Sequence, residues 1–206
     1  MIVTRIEQYK KGRYKIYIDD HYEFVLYSGE LRRFKLQENE EMSEEVYREI
    51  TEEILVKRVR LRAMNLLMKH GFTEKKLRDK LAEGEYSREL IDNAIEYVSS
   101  FGYIDDNEFA RDYIVSHRDD KSIGRIKNDL LNKGVSKEII NSALNKVYEE
   151  DGPIDEIPLI QKLLRKRGFD AQNAGYEEKN KTYAFLMNKG FSAESIRRVI
   201  NCDYLT

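Results

Sequence analysis

The residues that could support catalysis or hold a metal are few in this chain and stand far apart. His21, His70 and His117 are expected in a turn, at a helix end and in a charged helix, and none has the close spacing that a metal site requires. Cys202 has no neighbouring base that would activate its thiol as a nucleophile. The sequence therefore predicts no catalytic centre, no metal and no cofactor, and the chain is not expected to be an enzyme.

The acidic pair Asp105-Asp106 is the most conspicuous candidate for ion binding. A divalent cation would need more oxygen ligands than this pair offers. We instead expect Gly102 to end a helix and one of the two aspartates to cap the next helix. In this interpretation Tyr103 and Ile104 enter the hydrophobic core.

Clusters of basic residues are the remaining feature that could bind a partner. Each cluster alone is typical of a solvated helix face whose charges pair with nearby carboxylates. Together they could form a discontinuous basic stripe that fits a partner with its own helical repeat, such as a protein–DNA filament. The candidate contact residues are Lys57, Arg58, Arg60, Arg62, Lys75, Lys76, Arg78, Arg125, Lys127, Arg165, Lys166 and Arg167.

Composition restricts the class of protein. The 206 residues carry a net charge of −2, which weakens a simple DNA-binding interpretation, because phosphate contacts usually require a basic excess. No apolar run approaches the roughly 18 residues of a membrane span, and the N-terminus lacks the apolar core of a signal peptide. We therefore expect a cytoplasmic protein that does not bind membranes.

The N-terminal segment differs from the rest in its hydrophobic period. Over residues 1–27, apolar side chains alternate with polar ones between short turn sequences, which predicts a β-meander of three strands. So small a sheet needs a helix against its apolar face. Ser43 is placed to cap a helix that runs on through Leu55 to Leu66.

A recurring triplet organises the remainder of the chain: a glycine, a hydrophobic residue and a helix-capping residue. Glycine ends one helix, the capping side chain begins the next, and the hydrophobic residue packs on the fifth residue after it. The copies begin at Gly71, Gly134, Gly168 and Gly190, and a variant with one inserted residue begins at Gly84.

These joints predict a mainly α-helical protein built from tandem three-helix, helix-turn-helix-like repeats. The sequences after the joints at Gly84, Gly134 and Gly190 resemble each other and recur roughly every 50 residues, as in a repeat array. The predicted divisions are residues 1–55 for the meander with its capping helix, then 56–106, 107–150 and 151–206 for three repeats. Stacked repeats would form an elongated, curved array.

Three segments in the middle of the chain resemble the RecX family of regulatory proteins. Family members typically carry a "GYIDD…FA" sequence, a glycine-and-basic stretch and a leucine-plus-"KG" helix end. The matching segments here are Gly102 to Asp106 with Phe109 and Ala110, Lys121 to Ile126, and Asp129 to Gly134. The resemblance covers about residues 60–200, and the N-terminal strands are similar to an extension of the longer members from Gram-positive bacteria.

The resemblance implies a modulator of the RecA recombinase without enzymatic activity. Such proteins bind in the groove of the RecA–DNA filament, and most suppress strand exchange, ATP hydrolysis and repressor cleavage. The resemblance also assigns structural roles to the motif residues Gly102, Tyr103, Asp105, Asp106, Phe109 and Gly134. The implied partner is the filament, with single- or double-stranded DNA as a further contact, and the implied state is a monomer.

Two alternatives remain from the residues themselves. One is a stand-alone DNA-binding protein that uses its helix-turn-helix-like units, which would bind duplex DNA with a steep salt dependence. The other is a helical adaptor for an unrelated protein, in which the repeats are only a scaffold.

Overall fold

The computed structural model describes residues 1–68 and 71–201. The expectations for His70 and Cys202 lie outside the described residues. The chain divides into two compact units, Met1–Ile104 and Asp105–Thr206.

The N-terminal segment forms the predicted meander, with strands β1 (Ile2–Lys10), β2 (Arg13–Ile18) and β3 (His21–Tyr27). All three pair antiparallel, and Gly12 makes the first turn with a φ of +70°. A fourth strand that the sequence did not predict, β4 (Glu40–Glu41), pairs with β1 to give the order β3-β2-β1-β4. Both residues of β4 are exposed glutamates, so no apolar alternation marks the strand.

Helical segments cover the apolar face of the sheet, as predicted. A short helix that the sequence analysis missed, α1 (Ser28–Phe34), follows β3 directly. Helix α2 (Glu44–Arg48) begins with the predicted cap, because the Ser43 hydroxyl accepts the Val46 N–H at 3.3 Å. It continues into a π-helical segment, Glu49–Leu55, and then into α3 (Val56–Leu67).

The π-helical segment links two separate hydrophobic clusters. Ile50 and Leu55 pack with the sheet residues Ile16 and Leu26, while Val59 and the rest of α3 contribute to the next cluster. A spacing of five between Ile50 and Leu55 does not fit one face of a regular α-helix, whereas the wider π turn accommodates it. One continuous helical run therefore serves both clusters.

Three sets of three helices follow, and each set surrounds its own hydrophobic cluster. The first set consists of α3, α4 (Glu74–Ala82) and α5 (Arg88–Ser100). The second consists of α6 (Asp106–His117), α7 (Ile123–Asn132) and α8 (Lys137–Asp151). The third consists of α9 (Ile157–Arg167), α10 (Tyr176–Asn188) and α11 (Ala193–Ile200). The predicted repeat fold is confirmed, while the exact repeat boundaries and the curved array stay predictions.

Most predicted joints have the expected caps. The hydroxyls of Thr73, Ser87, Ser136 and Ser192 each accept a backbone N–H three residues on, at 3.2–3.3 Å. The joint at Gly168 is different. Gly168 ends α9 with a φ of +70°, but Asp170 caps a turn at Gln172, and α10 begins six residues later. The prediction that a helix starts at Asp170 was wrong, because its side chain stabilises a local turn instead.

No helix in the described ranges combines the length and the apolar character that crossing a membrane would require.

Candidate partner-binding surfaces

The basic cluster on α3 divides into side chains that stabilise the fold and side chains that face solvent. Arg58 donates to the Val25 carbonyl at 2.8 Å, forms an ion pair with Glu30 and lies over the Tyr27 ring. Arg60 donates to the Asn93 side chain at 2.9 Å and lies over the ring of Tyr97. Both guanidiniums are committed to internal contacts that hold α3 to its neighbours.

Lys57 and Arg62, by contrast, are exposed. Arg62 shares with Arg58 the wall of a cavity of about 430 Å³ between the sheet and the first helix set. Lys10 and Arg13 line the same cavity, although the sequence did not predict them to lie near the α3 cluster. They belong to the β1–β2 hairpin, so only the docking of the sheet brings them near α3.

The α4 cluster shows the same division. Lys75 and Lys76 are exposed in the first turns of the helix. Arg78 donates to Glu74 at 2.7 Å and also pairs with Asp92 of α5. Although its partial burial acts in the opposite direction, hydrogen bonds to these two carboxylates raise the pKa of Arg78. Arg78 thus ties α4 to α5, and the lysines remain available for a partner.

On α7, a polar network engages one of the two predicted cations. Asp129 accepts from Lys121 at 2.9 Å and from the Tyr113 hydroxyl at 3.0 Å, and it pairs with Arg125 at 3.2 Å. The hydrogen bond from Lys121 is the main cause that lowers the pKa of Asp129. Lys127 on the same helix is half-buried.

The cluster at the end of α9 faces solvent most completely. Arg165, Lys166 and Arg167 are all exposed and occupy the last turn of the helix. Cations in this position also stabilise the negative end of the helix dipole. Arg167 lies over the Phe185 ring at 4.4 Å. The discontinuous basic stripe that the sequence predicts across the repeats stays a prediction.

The motif around the acidic pair acts as a cap. Asp105 accepts the N–H groups of Asn107 and Glu108 at 2.7 and 3.2 Å, and these bonds lower its pKa. Gly102 adopts a φ of +68° after α5. The expectation for Tyr103 was wrong: the residue is 54% exposed, and its ring stacks on that of Phe101, a residue that is 57% exposed.

The remaining motif residues lie in the second helix set. Asp106 is the first residue of α6, and Phe109, one turn on, packs against the cluster of the set. Gly134 has a φ of +92° between α7 and α8, as its place in the predicted joint requires. Within the described ranges, no group of three or more His, Cys, Asp or Glu side chains is arranged to hold a metal ion.

The glycine-and-basic motif forms what we call the glycine junction, where the start of α7 meets the turn before α11. Gly124 donates its N–H to the Gly190 carbonyl at 2.9 Å, and the Ser122 hydroxyl donates to the Lys189 carbonyl at 2.7 Å. A Cβ atom on Gly124 would lie 2.6 Å from the Gly190 oxygen. Only glycine permits so close an approach of two backbones.

A buried carboxylate completes the glycine junction. Glu156 is 0% exposed and accepts the N–H of Ile123 at 2.9 Å and that of Ser192 at 2.8 Å. These donors stand at the beginnings of α7 and α11, where backbone N–H groups lack partners within the helix. Glu156 could not be predicted from the sequence, because one glutamate in an acidic linker carries no signal that separates it from its neighbours.

Comparison with known proteins places this architecture. The family models described as "RecX, second three-helix domain" and "RecX, third three-helix domain" match residues 105–144 and 155–200. The chain belongs to the RecX family of regulatory proteins. The matched ranges include the α6 cap at Asp105 and both sides of the glycine junction, so the family resemblance rests on residues whose structural roles are visible here.

Full-length relatives support the assignment to RecX. "Regulatory protein RecX" of Caldanaerobacter subterraneus subsp. tengcongensis is 28% identical over 98% of this chain and 99% of its own length. The protein of the same name from Clostridioides difficile is 28% identical over 97% and 94%. A crystal structure of regulatory protein RecX matches with a TM-score of 0.62 and 26% identity, over 98% of this chain and 99% of that one. RecX from Lactobacillus salivarius, at 23% identity and a TM-score of 0.60 over 72% and 96%, shares the fold.

Proposed function

We propose that this chain binds the RecA–DNA filament, lies in the filament groove, and inhibits recombinase, ATPase and coprotease activities. The observation that carries this proposal is the match with RecX regulatory proteins over nearly the whole of both chains. In the proposed mechanism the chain acts as a cytoplasmic monomer without cofactors. It contacts neighbouring RecA subunits across the groove and hinders a second DNA strand from entering.

The cations available for such contacts are those that the fold does not use. In the first helix set these are Lys57, Lys75 and Lys76, and in the third they are Arg165 and Lys166. We propose these residues, rather than Arg58 or Arg60, as the electrostatic part of the filament contact. Exposed charges steer association and can release counterions on binding, so binding should weaken as salt increases.

The first test measures the DNA-dependent ATPase of RecA with increasing amounts of this chain. Substoichiometric chain should lower the rate, and no change across a wide titration would refute the proposal. A pull-down on single-stranded DNA coated with RecA, and on the same DNA without RecA, separates the filament modulator from the stand-alone DNA-binding protein. Tight duplex binding at physiological salt without RecA would favour the stand-alone DNA-binding protein instead.

A second test uses side chains that can be changed without disturbing the fold. Lys75→Gln with Lys76→Gln should weaken filament binding by about tenfold, because each exposed cation contributes up to roughly 1 kcal/mol at such an interface. The matched control is Lys35→Gln with Lys137→Gln, which removes two exposed lysines elsewhere. If both double variants bind the filament alike, the α4 lysines do not contact it. If replacing the α9 cations Arg165 and Lys166 also leaves filament binding unchanged, the helical adaptor is favoured.

A further inference from the structure

The variant joint at Gly84 forms one side of the cavity between the sheet and the first helix set. In this joint the extra residue, Glu85, adopts a φ of +61°. Its carbonyl accepts the Tyr22 hydroxyl at 3.0 Å, and its carboxylate pairs with Lys15 at 3.4 Å. The Tyr86 ring then packs so closely on Gly84 that a Cβ there would lie 2.7 Å from it. The inserted residue thus attaches the helices to the sheet, and we call these contacts, with the Arg58–Glu30 pair, the sheet–helix junction.

Cations dominate the charges around this cavity. The lining includes Lys10, Arg13, Arg58, Arg62 and Lys80. Arg58 is neutralised by Glu30, and Lys80 by Glu83 at 2.7 Å. The other three cations make no ion pair with any carboxylate among residues 1–68 and 71–201.

The carboxylates of the lining do not cancel this excess. Glu83 and Glu85 are paired with Lys80 and Lys15. Glu23 accepts the Tyr47 hydroxyl at 3.3 Å and has no cation partner among the described residues. One unpaired carboxylate therefore faces three unpaired cations, and the cavity retains an excess of positive charge.

The unpaired cations approach the cavity from two elements. Lys10 and Arg13 flank the turn of the β1–β2 hairpin, and Arg62 lies on α3. Arg13 is partly ordered already, because its guanidinium lies 5.2 Å from the centre of the Tyr27 ring. Guanidinium groups bind phosphate oxygens through paired N–H donors, and a lysine adds a point charge. A cavity of about 430 Å³ falls within the range of small-ligand sites.

We propose that this cavity binds a phosphate group, held by Arg13 and Arg62 with Lys10 beside them. Two sources could supply it: the phosphodiester of a nucleic-acid strand that crosses the cavity mouth, or a free phosphate compound such as a nucleotide. The site stands apart from the proposed filament contact, because it requires no RecA.

The test measures binding to the full chain by titration calorimetry at low salt. Three probes are used: inorganic phosphate, thymidine monophosphate and a single-stranded oligothymidylate without a terminal phosphate. Arg13→Gln with Arg62→Gln should weaken binding of the probe that occupies the site by at least about tenfold, since charge-assisted hydrogen bonds are lost. Arg32→Gln with Arg48→Gln, both exposed and outside the cavity, is the matched control.

The pattern among the probes identifies the source. A loss confined to the oligonucleotide indicates a phosphodiester, and a loss that includes phosphate or the nucleotide indicates a free phosphate compound. Equal binding by the two double variants, or no binding of any probe to the unaltered chain, overturns the proposal. Because no RecA is present, these outcomes are independent of the proposed filament function.

A second variant tests the site without removing a cation. Leu61 lines the cavity and is 50% exposed, so Leu61→Glu should fold normally and place a carboxylate beside the proposed phosphate. We expect it to weaken binding by about tenfold through charge repulsion. Val115→Glu, at a 42% exposed position of α6, is the control. Unchanged probe binding by the Leu61 variant would contradict the proposal that the phosphate group lies in this cavity.

Discussion

The sheet–helix junction attaches the first helix set to the sheet, and the glycine junction attaches the second helix set to the third, by opposite means. The first uses side chains, with Arg58, Lys15 and Tyr22 reaching across a gap that remains as a cavity. The second brings two backbones into contact at Gly124 and Gly190 and buries one carboxylate between helix ends. A junction made by long side chains leaves room for a ligand, whereas one made by backbone contact does not.

The two junctions should also differ in how much stability a substitution costs. In the glycine junction the Gly124 and Gly190 backbones are in close contact and Glu156 is fully buried, so an added or removed group has little space to relax into. In the sheet–helix junction, partly exposed side chains can rearrange or exchange a lost partner for water. We therefore expect substitutions to cost more in the glycine junction, and the following variants test that order.

Glu156→Ala should have the largest effect. It removes the acceptor for both Ile123 and Ser192 and leaves a buried void. Each charge-assisted hydrogen bond contributes roughly 1.5–3 kcal/mol, so unfolding should become easier by about 4 kcal/mol. Urea denaturation followed by circular dichroism measures the loss, and hydrogen exchange should locate it in residues 105–201. Glu96→Ala, an exposed carboxylate on α5, is the control and should change stability little.

Gly124→Ala should cause the second-largest loss of stability, because its Cβ would meet the Gly190 carbonyl oxygen at 2.6 Å. The two backbones must separate, which we expect to cost about 3 kcal/mol. Gly175→Ala is the matched control, since nothing lies within 4 Å of a Cβ at that position. If the two alanine variants have the same midpoint of urea denaturation, close backbone contact does not stabilise the glycine junction.

Local spacing in the sequence predicts some of the contacts in these junctions and misses others. Capping residues and helix-ending glycines act on their immediate neighbours, so Ser43, Ser87 and Gly134 could be interpreted correctly from local spacing. The Asp170 prediction failed because a turn and a helix start use the same capping chemistry. Glu156 depends on partners 33 and 36 positions away, and Gly124 depends on Gly190, which is also remote in the sequence, so local spacing does not reveal these contacts.

The basic clusters show the same limit at the candidate site. Arg58 and Arg62 are four residues apart on one helix, yet one is held by Glu30 and the other faces solvent. What separates them is the position of the sheet, which no helical period encodes. Tyr103 failed as a core prediction for a related reason, since aromatic residues beside a helix end can stack on one another in solvent.

Arg58→Ala should destabilise the sheet–helix junction by about 2 kcal/mol, because Glu30 and the Val25 carbonyl lose a charged donor at a partly exposed position. Urea denaturation gives the magnitude, and faster hydrogen exchange should appear in residues 1–68. Arg165→Ala, on the exposed end of α9, should change stability by less than about 0.5 kcal/mol. A larger effect at Arg165 than at Arg58 would reverse the assignment of structural and available cations.

Tyr22→Phe should have the smallest effect near neutral pH and a distinct one in alkali. Burial, followed by the charge of Glu85, raises the pKa of Tyr22 to about 12 from 10.0. Between these two values the unfolded chain loses the phenolic proton while the folded chain keeps it, so the contribution of Tyr22 to stability falls as pH rises. The variant should therefore lose less stability than the unaltered chain between about pH 10 and 12. Tyr176→Phe, at a 63% exposed position, is the control. If the stability of the unaltered chain and that of the Tyr22 variant depend on pH in the same way, the Tyr22–Glu85 contact does not form part of the sheet–helix junction in solution. The difference in rigidity between the two junctions would then be larger than the contacts indicate.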